Sequence, residues 1–513
     1  MMPASLTKRI VRNTLFNFAG RFWAMFLGLL LTPFLVAKLG TTGYALWSLV
    51  LVITHYLFTW DLGLGNALIR HVAHYYAQRD HHGLNSVMST ALLIYAALAT
   101  VAITLTVVLR PVVLSAFRVP PEQWEEVGWV LVMAVIAFAL SNMWSVFRGL
   151  VTGLQQMHLT NLITALRATL NALGAVAFLQ LGHGLKGLAL NEIITMILTT
   201  GLSAVLAFRV FPMLRLNPLL VRRETLKLLL RYGLKVQITG LGALINLQMN
   251  KLLIGYFLNL ELLAAYELGF KLVYSLISLL RLLSSAVMPA AAELHAQYDH
   301  GRLQRLYRQG AKYLMLAVVP LGFVTILHAH SITTVWLGTP PPEVARVIQF
   351  LMLAYGFNLL TAMGTAMARG VGHPEFETRY AILVIVVNLS LGIVLMRLLG
   401  LDGLLVATLT AVVLGSSYFL VQWHRFLHQR WRTLWRKLYA PPLGACLLAI
   451  VPSYLAGRGF LAYLPAGRLA HAAAGLGGGF VFASFYVLFI WRSGYWDAQD
   501  RALYRAILRL PSS

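Results

Sequence analysis

Ionisable side chains interrupt stretches of this chain that are otherwise apolar: Arg21, Asp61, Arg167, Glu192, Lys235, Lys251, Glu267, Lys271 and Arg281. A charge placed in hydrocarbon costs about 2.5–3.5 kcal/mol on insertion scales, so each needs a partner, a route to the interface or a function. At 100° per residue, Thr160, Thr164, Arg167, Asn171 and Gly174 fall on one helix face. Lys235, Thr239, Gly242, Asn246 and Asn250 make a second such stripe, and Asn13, Asn17, Arg21, Ala24 and Gly28 a third. Small and polar residues also serve close helix packing, but packing has no use for a guanidinium or an ammonium. Cations held in an apolar setting fit one task in particular, which is meeting an anion by charge-assisted hydrogen bonds.

The other chemistry-bearing patterns are weaker. His424 and His428 are four apart and His71 and His74 three apart, but no carboxylate motif accompanies them, so solvated histidines on basic faces are the simpler reading. No Ser/His/Asp set or paired carboxylates emerge, and we expect no catalytic site, no metal and no cofactor. Glu267 and Lys271 have the spacing of an intrahelical ion pair, and Lys235 and Lys251 lie near enough to span ends to snorkel. In "TWDLGLGNALIR" (59–70), Gly63 and Gly65 lack the preceding strand of a nucleotide loop and read instead as loosening a helix. Asp61 and Arg70, nine apart, point to opposite sides of that helix. Asp61 therefore needs a partner elsewhere.

These residues are carried by membrane spans. The 513 residues are 59% hydrophobic and 11% charged with mean hydropathy +0.74, against about 25% charged for a soluble protein. Long apolar runs without ten-residue alternation predict helices rather than a barrel. Hydropathy and breakers place about fourteen spans, near 12–38, 43–69, 84–110, 127–150, 158–181, 185–210, 228–257, 262–290, 310–336, 344–368, 377–399, 401–424, 440–457 and 469–491. Pro33, Pro289 and Pro320 are candidate kinks. The formal charge of +24 raises the question of nucleic acid, yet the positives lie beside apolar spans and no stretch is long enough for a separate binding domain. With both termini cytoplasmic, roughly 27 Lys and Arg fall inside and roughly 8 outside, as the positive-inside rule expects.

An internal repeat emerges on sliding the chain by about 219 residues. "AQRDHHGL" (77–84) meets "AQYDHGRL" (296–303), and "GHGLKGLAL" (182–190) meets "LGLDGLLVA" (399–407). We expect an all-α fold of two six-helix lobes, 1–210 and 227–424, around a central cavity and joined by a cytoplasmic linker, 211–226. A basic segment (425–439), two appended helices (440–491) and an amphipathic cytoplasmic tail (492–513) complete the chain. Sliding by one residue more aligns Asp61 with Arg281, a candidate contact between lobes. Leu427, Trp431, Leu434, Trp435 and Leu438 form an apolar stripe with Arg430, Arg432, Arg436 and Lys437 off it, an interfacial helix for anionic lipid. Arg501, Arg505 and Arg509, four apart, repeat that pattern in the tail.

"TPFLVAKLGTTGYALWSLV" (32–50) followed by "WDLGLGNALIR" (60–70) resembles bacterial oligosaccharide flippases, the polysaccharide-transporter branch of the multidrug/oligosaccharidyl-lipid/polysaccharide exporter superfamily. The resemblance implies a non-enzymatic inner-membrane protein with a cationic central cavity. It would move undecaprenyl-diphosphate-linked oligosaccharide outward by alternating access on an ion gradient, for O-antigen or exopolysaccharide synthesis. Arg21, Arg167, Lys251 and Arg281 are then the candidates for diphosphate or acidic-sugar contact, Asp61 and Glu192 for gating or ion coupling, and Asn17, Asn171, Asn246 and Asn250 for polar lining. A polymerase or glycosyltransferases are candidate partners. The cavity arginine cluster of lipid II flippases has no clear counterpart, which disfavours that substrate. Rival readings are a cation-coupled drug exporter, which would want an acidic cavity, a non-transporting scaffold of an export machine, and a membrane glycosyltransferase, for which the external loops are short.

Overall fold

The computed structural model describes the backbone of residues 4–57, 63–284, 287–497 and 500. Among these residues the chain is helical, with no strands. It packs as two compact units, Met1–Glu267 and Leu268–Ser513. The first holds α1 (Ala4–Leu57), α2 (Leu64–Ala77), α3 (His81–Ala116), α4 (Trp124–Gly153), α5 (Met157–Gln180), α6 (Gly184–Val210) and α7 (Arg223–Phe257). The division falls within α8 (Leu260–Arg281). The second unit continues with α9 (Val287–Ala296), α10 (His300–Leu327), α11 (Ala329–Leu337), α12 (Pro342–Leu359), α13 (Ala362–Gly370) and α14 (Glu375–Phe426). Then come α15 (Trp431–Leu434), α16 (Ala440–Tyr463) and α17 (Arg468–Arg492).

Eleven stretches among the described residues are long and apolar enough to cross a membrane. Two of them are broken by a kink at a glycine, α1 at Gly40 (φ 70°) and α14 at Gly400 (φ 60°), which divides the segments that hydropathy separates. Elsewhere hydropathy runs through breaks. The span expected over 43–69 is not one helix: α1 ends at Leu57, and α2 starts at Leu64 after a left-handed Gly63 (φ 68°). A Cβ on Gly63 would also lie 2.2 Å from the Gly233 carbonyl oxygen of α7, so glycine is required there both by backbone conformation and by close approach. The span expected over 262–290 is divided by a short 3-10 turn, Leu282–Ser284, and Pro289 stands in the first turn of α9, where its missing N–H costs little.

The repeat is written into the turns. Arg79, Arg118, Gln155 and Gly182 of the first unit have positive φ, and so do Tyr298, Gly338, Gly372 and Gly400 of the second, in that order and roughly 217–220 residues on, as an internal repeat would place them. After α2, Arg79 N–H donates to Tyr76 O at 3.1 Å and Asp80 N–H to Tyr75 O at 3.0 Å. After α9, Tyr298 N–H donates to His295 O at 3.0 Å and Asp299 N–H to Leu294 O at 3.1 Å. Asp80 then caps α3 by accepting from Gly83 N–H, and Asp299 caps α10 by accepting from Arg302 N–H, each at 2.8 Å. The fragments "AQRD" and "AQYD" are thus one structural device used twice.

The segment between α6 and α7 is held in place rather than loose. On α3, Asn85 Nδ2 donates to Met213 O at 3.0 Å, Ser86 Oγ to Leu220 O at 2.8 Å, and Ser89 Oγ accepts from Asn217 N–H at 3.1 Å. Beneath these bonds Leu64, Leu68, Leu84, Met88, Leu150 and Leu229 form a buried core.

Candidate functional site

In the first unit, α5 and α6 run as a hairpin over the Gly182 turn, which brings Arg167 beside Glu192. Arg167 Nη2 donates to Glu192 Oε1 at 2.8 Å, and Asn171 Nδ2 donates to Glu192 Oε2. Asn191 Nδ2 in turn donates to the Asn171 carbonyl at 2.9 Å. The Arg167 guanidinium also lies 5.8 Å from the centre of the Trp144 ring on α4. Side chains of this pair are 31% and 21% exposed, so the cluster is desolvated only in part.

A second pair joins α7 and α8. Lys251, 4% exposed, places Nζ 2.6 Å from Glu267 Oε2, and the neighbouring Asn250 Nδ2 donates to the Tyr266 hydroxyl at 3.1 Å. Spacing along α8 points Glu267 toward Lys271; the structure pairs it with Lys251 on the preceding helix.

The second unit holds a polar cavity of about 320 Å³. Arg281, at the end of α8, donates from Nη2 to Asn358 Oδ1 at 2.7 Å, and Asn358 Nδ2 donates to Ser416 Oγ at 3.2 Å. Arg281, Asn358, Thr361 and Thr365 line the cavity together with Arg369 and Glu377, which form an ion pair at 3.6 Å. Arg281 bonds to a neutral amide, so its charge remains with the cavity. A volume near 300 Å³ is at the small end of ligand sites.

Of the residues singled out from sequence, Arg21 is exposed on α1. Asp61 lies outside the described residues, as do Arg501, Arg505 and Arg509; for Asn17, Lys235 and Asn246 the side chains do. Arg369 and Glu377 escape sequence reasoning because they flank the turn "GVGHP" and read as ordinary boundary charges. Asn358 carried a signal, a lone amide in the apolar run "AYGFNLL".

The model of a family of polysaccharide biosynthesis proteins matches residues 39–340, more than half of the chain. The chain belongs to that family. Among curated relatives, the "Putative O-antigen transporter" of Shigella flexneri is 17% identical over 81% of this family member and 97% of its own length. The "Probable flippase AglR" of Haloferax volcanii is 19% identical over 80% and 82%. Among solved structures, an inward closed conformation of the lipid II flippase MurJ superposes with TM-score 0.75 at 13% identity, covering 93% of this chain and 99% of that one. An inward-facing multidrug resistance MATE transporter of the MOP superfamily gives TM-score 0.67 at 17% identity, covering 81% and 98%. This polysaccharide biosynthesis protein therefore has the helical transporter fold shared by MurJ and MATE proteins and is an integral membrane protein.

Proposed function

We propose that this protein is a flippase that moves undecaprenyl-diphosphate-linked oligosaccharide from the cytoplasmic to the outer leaflet of a bacterial inner membrane. The cycle is alternating access between two six-helix lobes, 1–210 and 227–424, drawing on an ion gradient, with both termini cytoplasmic and a polymerase or glycosyltransferases as partners in assembly. The observation that carries this reading is the Arg281 cavity: a guanidinium bonded to an amide, with a second, Arg369, opposite Glu377. A diphosphate must leave water to cross, and its charge is tolerable in a bundle only against cations and donors already in place. Drug export of cations would want carboxylates there, and the lining carries Glu377 alone, already opposite Arg369.

Arg281, bonded to a neutral amide, and Arg21, exposed on α1, are the first diphosphate contacts. Arg167 and Lys251 reach substrate by releasing Glu192 and Glu267, so Glu192 serves as the gate of the first unit, with Asp61 as the second candidate. Asn17, Asn171, Asn246 and Asn250 supply polar lining. Arg281→Ala should abolish surface polysaccharide at unchanged protein level while lipid-linked oligosaccharide accumulates on the cytoplasmic face. Unimpaired polymer from that variant would overturn the cationic-cavity reading, and accumulation of unlinked precursor would point to an enzyme.

A further inference from the structure

Residues 425–439 connect α14 to α16, two helices long and apolar enough to cross a membrane, so this connection must lie at a membrane boundary. The apolar stripe expected of a single amphipathic helix is divided in the structure. Leu427, Leu434 and Leu438 are buried, whereas Trp431 and Trp435 are 49% and 46% exposed. The segment also changes helix type: one α-turn, Trp431–Leu434, runs into a π-turn, Trp435–Tyr439. π-Turns occur frequently at functional sites. Along it the rings of Trp431 and Trp435 stack at 6.3 Å and 27°, with Tyr439 against both.

The inner side of the connection is fixed. Gln304 Nε2 donates to Leu427 O at 2.9 Å, the Tyr495 hydroxyl to Leu438 O at 2.9 Å, and the Tyr307 hydroxyl lies 2.8 Å from His424 Nε2. Its outer side presents Arg425, Arg430, Arg432, Arg436 and Lys437, all exposed, around the two tryptophans. No acidic residue occurs between Asp402 and Asp497. Five cations with no acid in the surrounding sequence would repel one another on a bare surface.

We propose that this ledge is a docking site for anionic phospholipid. Trp431 and Trp435 lie at headgroup depth, where an amphipathic ring is favoured, and Arg430, Arg432, Arg436 and Lys437 take the lipid phosphates. The site is independent of the transport reading, since it needs only the membrane.

Native mass spectrometry of the full-length protein in detergent, titrated with phosphatidylglycerol and with phosphatidylcholine, tests it. Wild type should retain phosphatidylglycerol at least about tenfold over phosphatidylcholine, less so in high salt. The variant R430Q/R432Q/R436Q/K437Q should lose about tenfold in phosphatidylglycerol retention, and R430K/R432K/R436K should keep most of it, which separates charge from folding. Equal retention of the two lipids by wild type, or undiminished retention by the glutamine variant, would overturn the site. So would displacement of the lipid by glycerol phosphate at equal concentration, because the ledge would then read phosphate without a membrane.

Discussion

At the scale of single residues, the ion pairs Arg167–Glu192 and Lys251–Glu267 each join neighbouring helices. Arg167 and Glu192 were both legible as intramembrane ions, but they lie 25 residues apart on different helices, and only the hairpin brings them within 2.8 Å. Periodicity reports which residues share one helix face; it says nothing of what faces them across the groove. The same limit explains Lys251, whose partner Glu267 comes from the next helix, and Arg369, whose carboxylate lies beyond a turn. Removing one member of a desolvated pair strands the other, at a cost of about 3–5 kcal/mol when burial is full and less when it is partial. Arg167→Ala and Glu192→Ala should each lower the unfolding midpoint in detergent, and their combination should lower it by less than the sum. Strict additivity would show that the pair contributes nothing beyond its parts.

Elements were legible where a breaker residue marks them. Gly40 and Gly400 fall between expected spans, 12–38 and 43–69 and then 377–399 and 401–424, and are the breaks in α1 and α14. The break before α2 was not legible, because apolar composition continues through a segment whose backbone turns at Gly63. Replacing Gly63 by Ala adds an unfavourable left-handed conformation, roughly 1–2 kcal/mol, to a contact with Gly233. We expect loss of thermal stability well beyond that of Gly65→Ala, measured side by side by thermal-shift assay.

The C-terminal segment after α17 is a second element whose anchoring was hidden. Lys312 Nζ on α10 meets Asp500 Oδ2 at 2.5 Å and Asp497 Oδ2 at 2.9 Å, and the Tyr313 hydroxyl donates to Asp500 Oδ1 at 2.8 Å. Tyr495, buried beside them, has its phenol pushed up from 10, by desolvation first and then by the nearby Tyr486, Asp500 and Tyr439. A phenol that holds its proton longer when folded contributes stability below pH about 10 and loses it as pH rises through the folded value, since the unfolded chain ionises first. Tyr495→Phe should flatten the decline of unfolding midpoint between pH 9 and 11, roughly the range in which a free phenol titrates. An unchanged slope would place the decline in other groups.

For the whole molecule, composition alone established a helical membrane protein, and two short matches exposed a repeat that four pairs of left-handed turns now make concrete. The course of the chain through the membrane is open to a direct check. Cys446, the single cysteine, is buried, so a Cys446→Ala background gives a clean start. In it, Tyr298→Cys should react with an impermeant maleimide only from the cytoplasmic side and His183→Cys only from the outside. Labelling of both from one side would refute the proposed topology.

The α5–α6 hairpin also bears on how the protein is made. Arg167 leaves the ribosome before Glu192 does, and at about 5–20 residues per second a separation of 25 residues delays the carboxylate by roughly one to five seconds. For that interval a bare guanidinium stands at the threshold of the bilayer without its counter-ion. The hairpin is the smallest stretch of α5 and α6 in which that charge is neutralised, so its two helices should enter the membrane as one parcel, with the tight turn at Gly182 keeping the delay short.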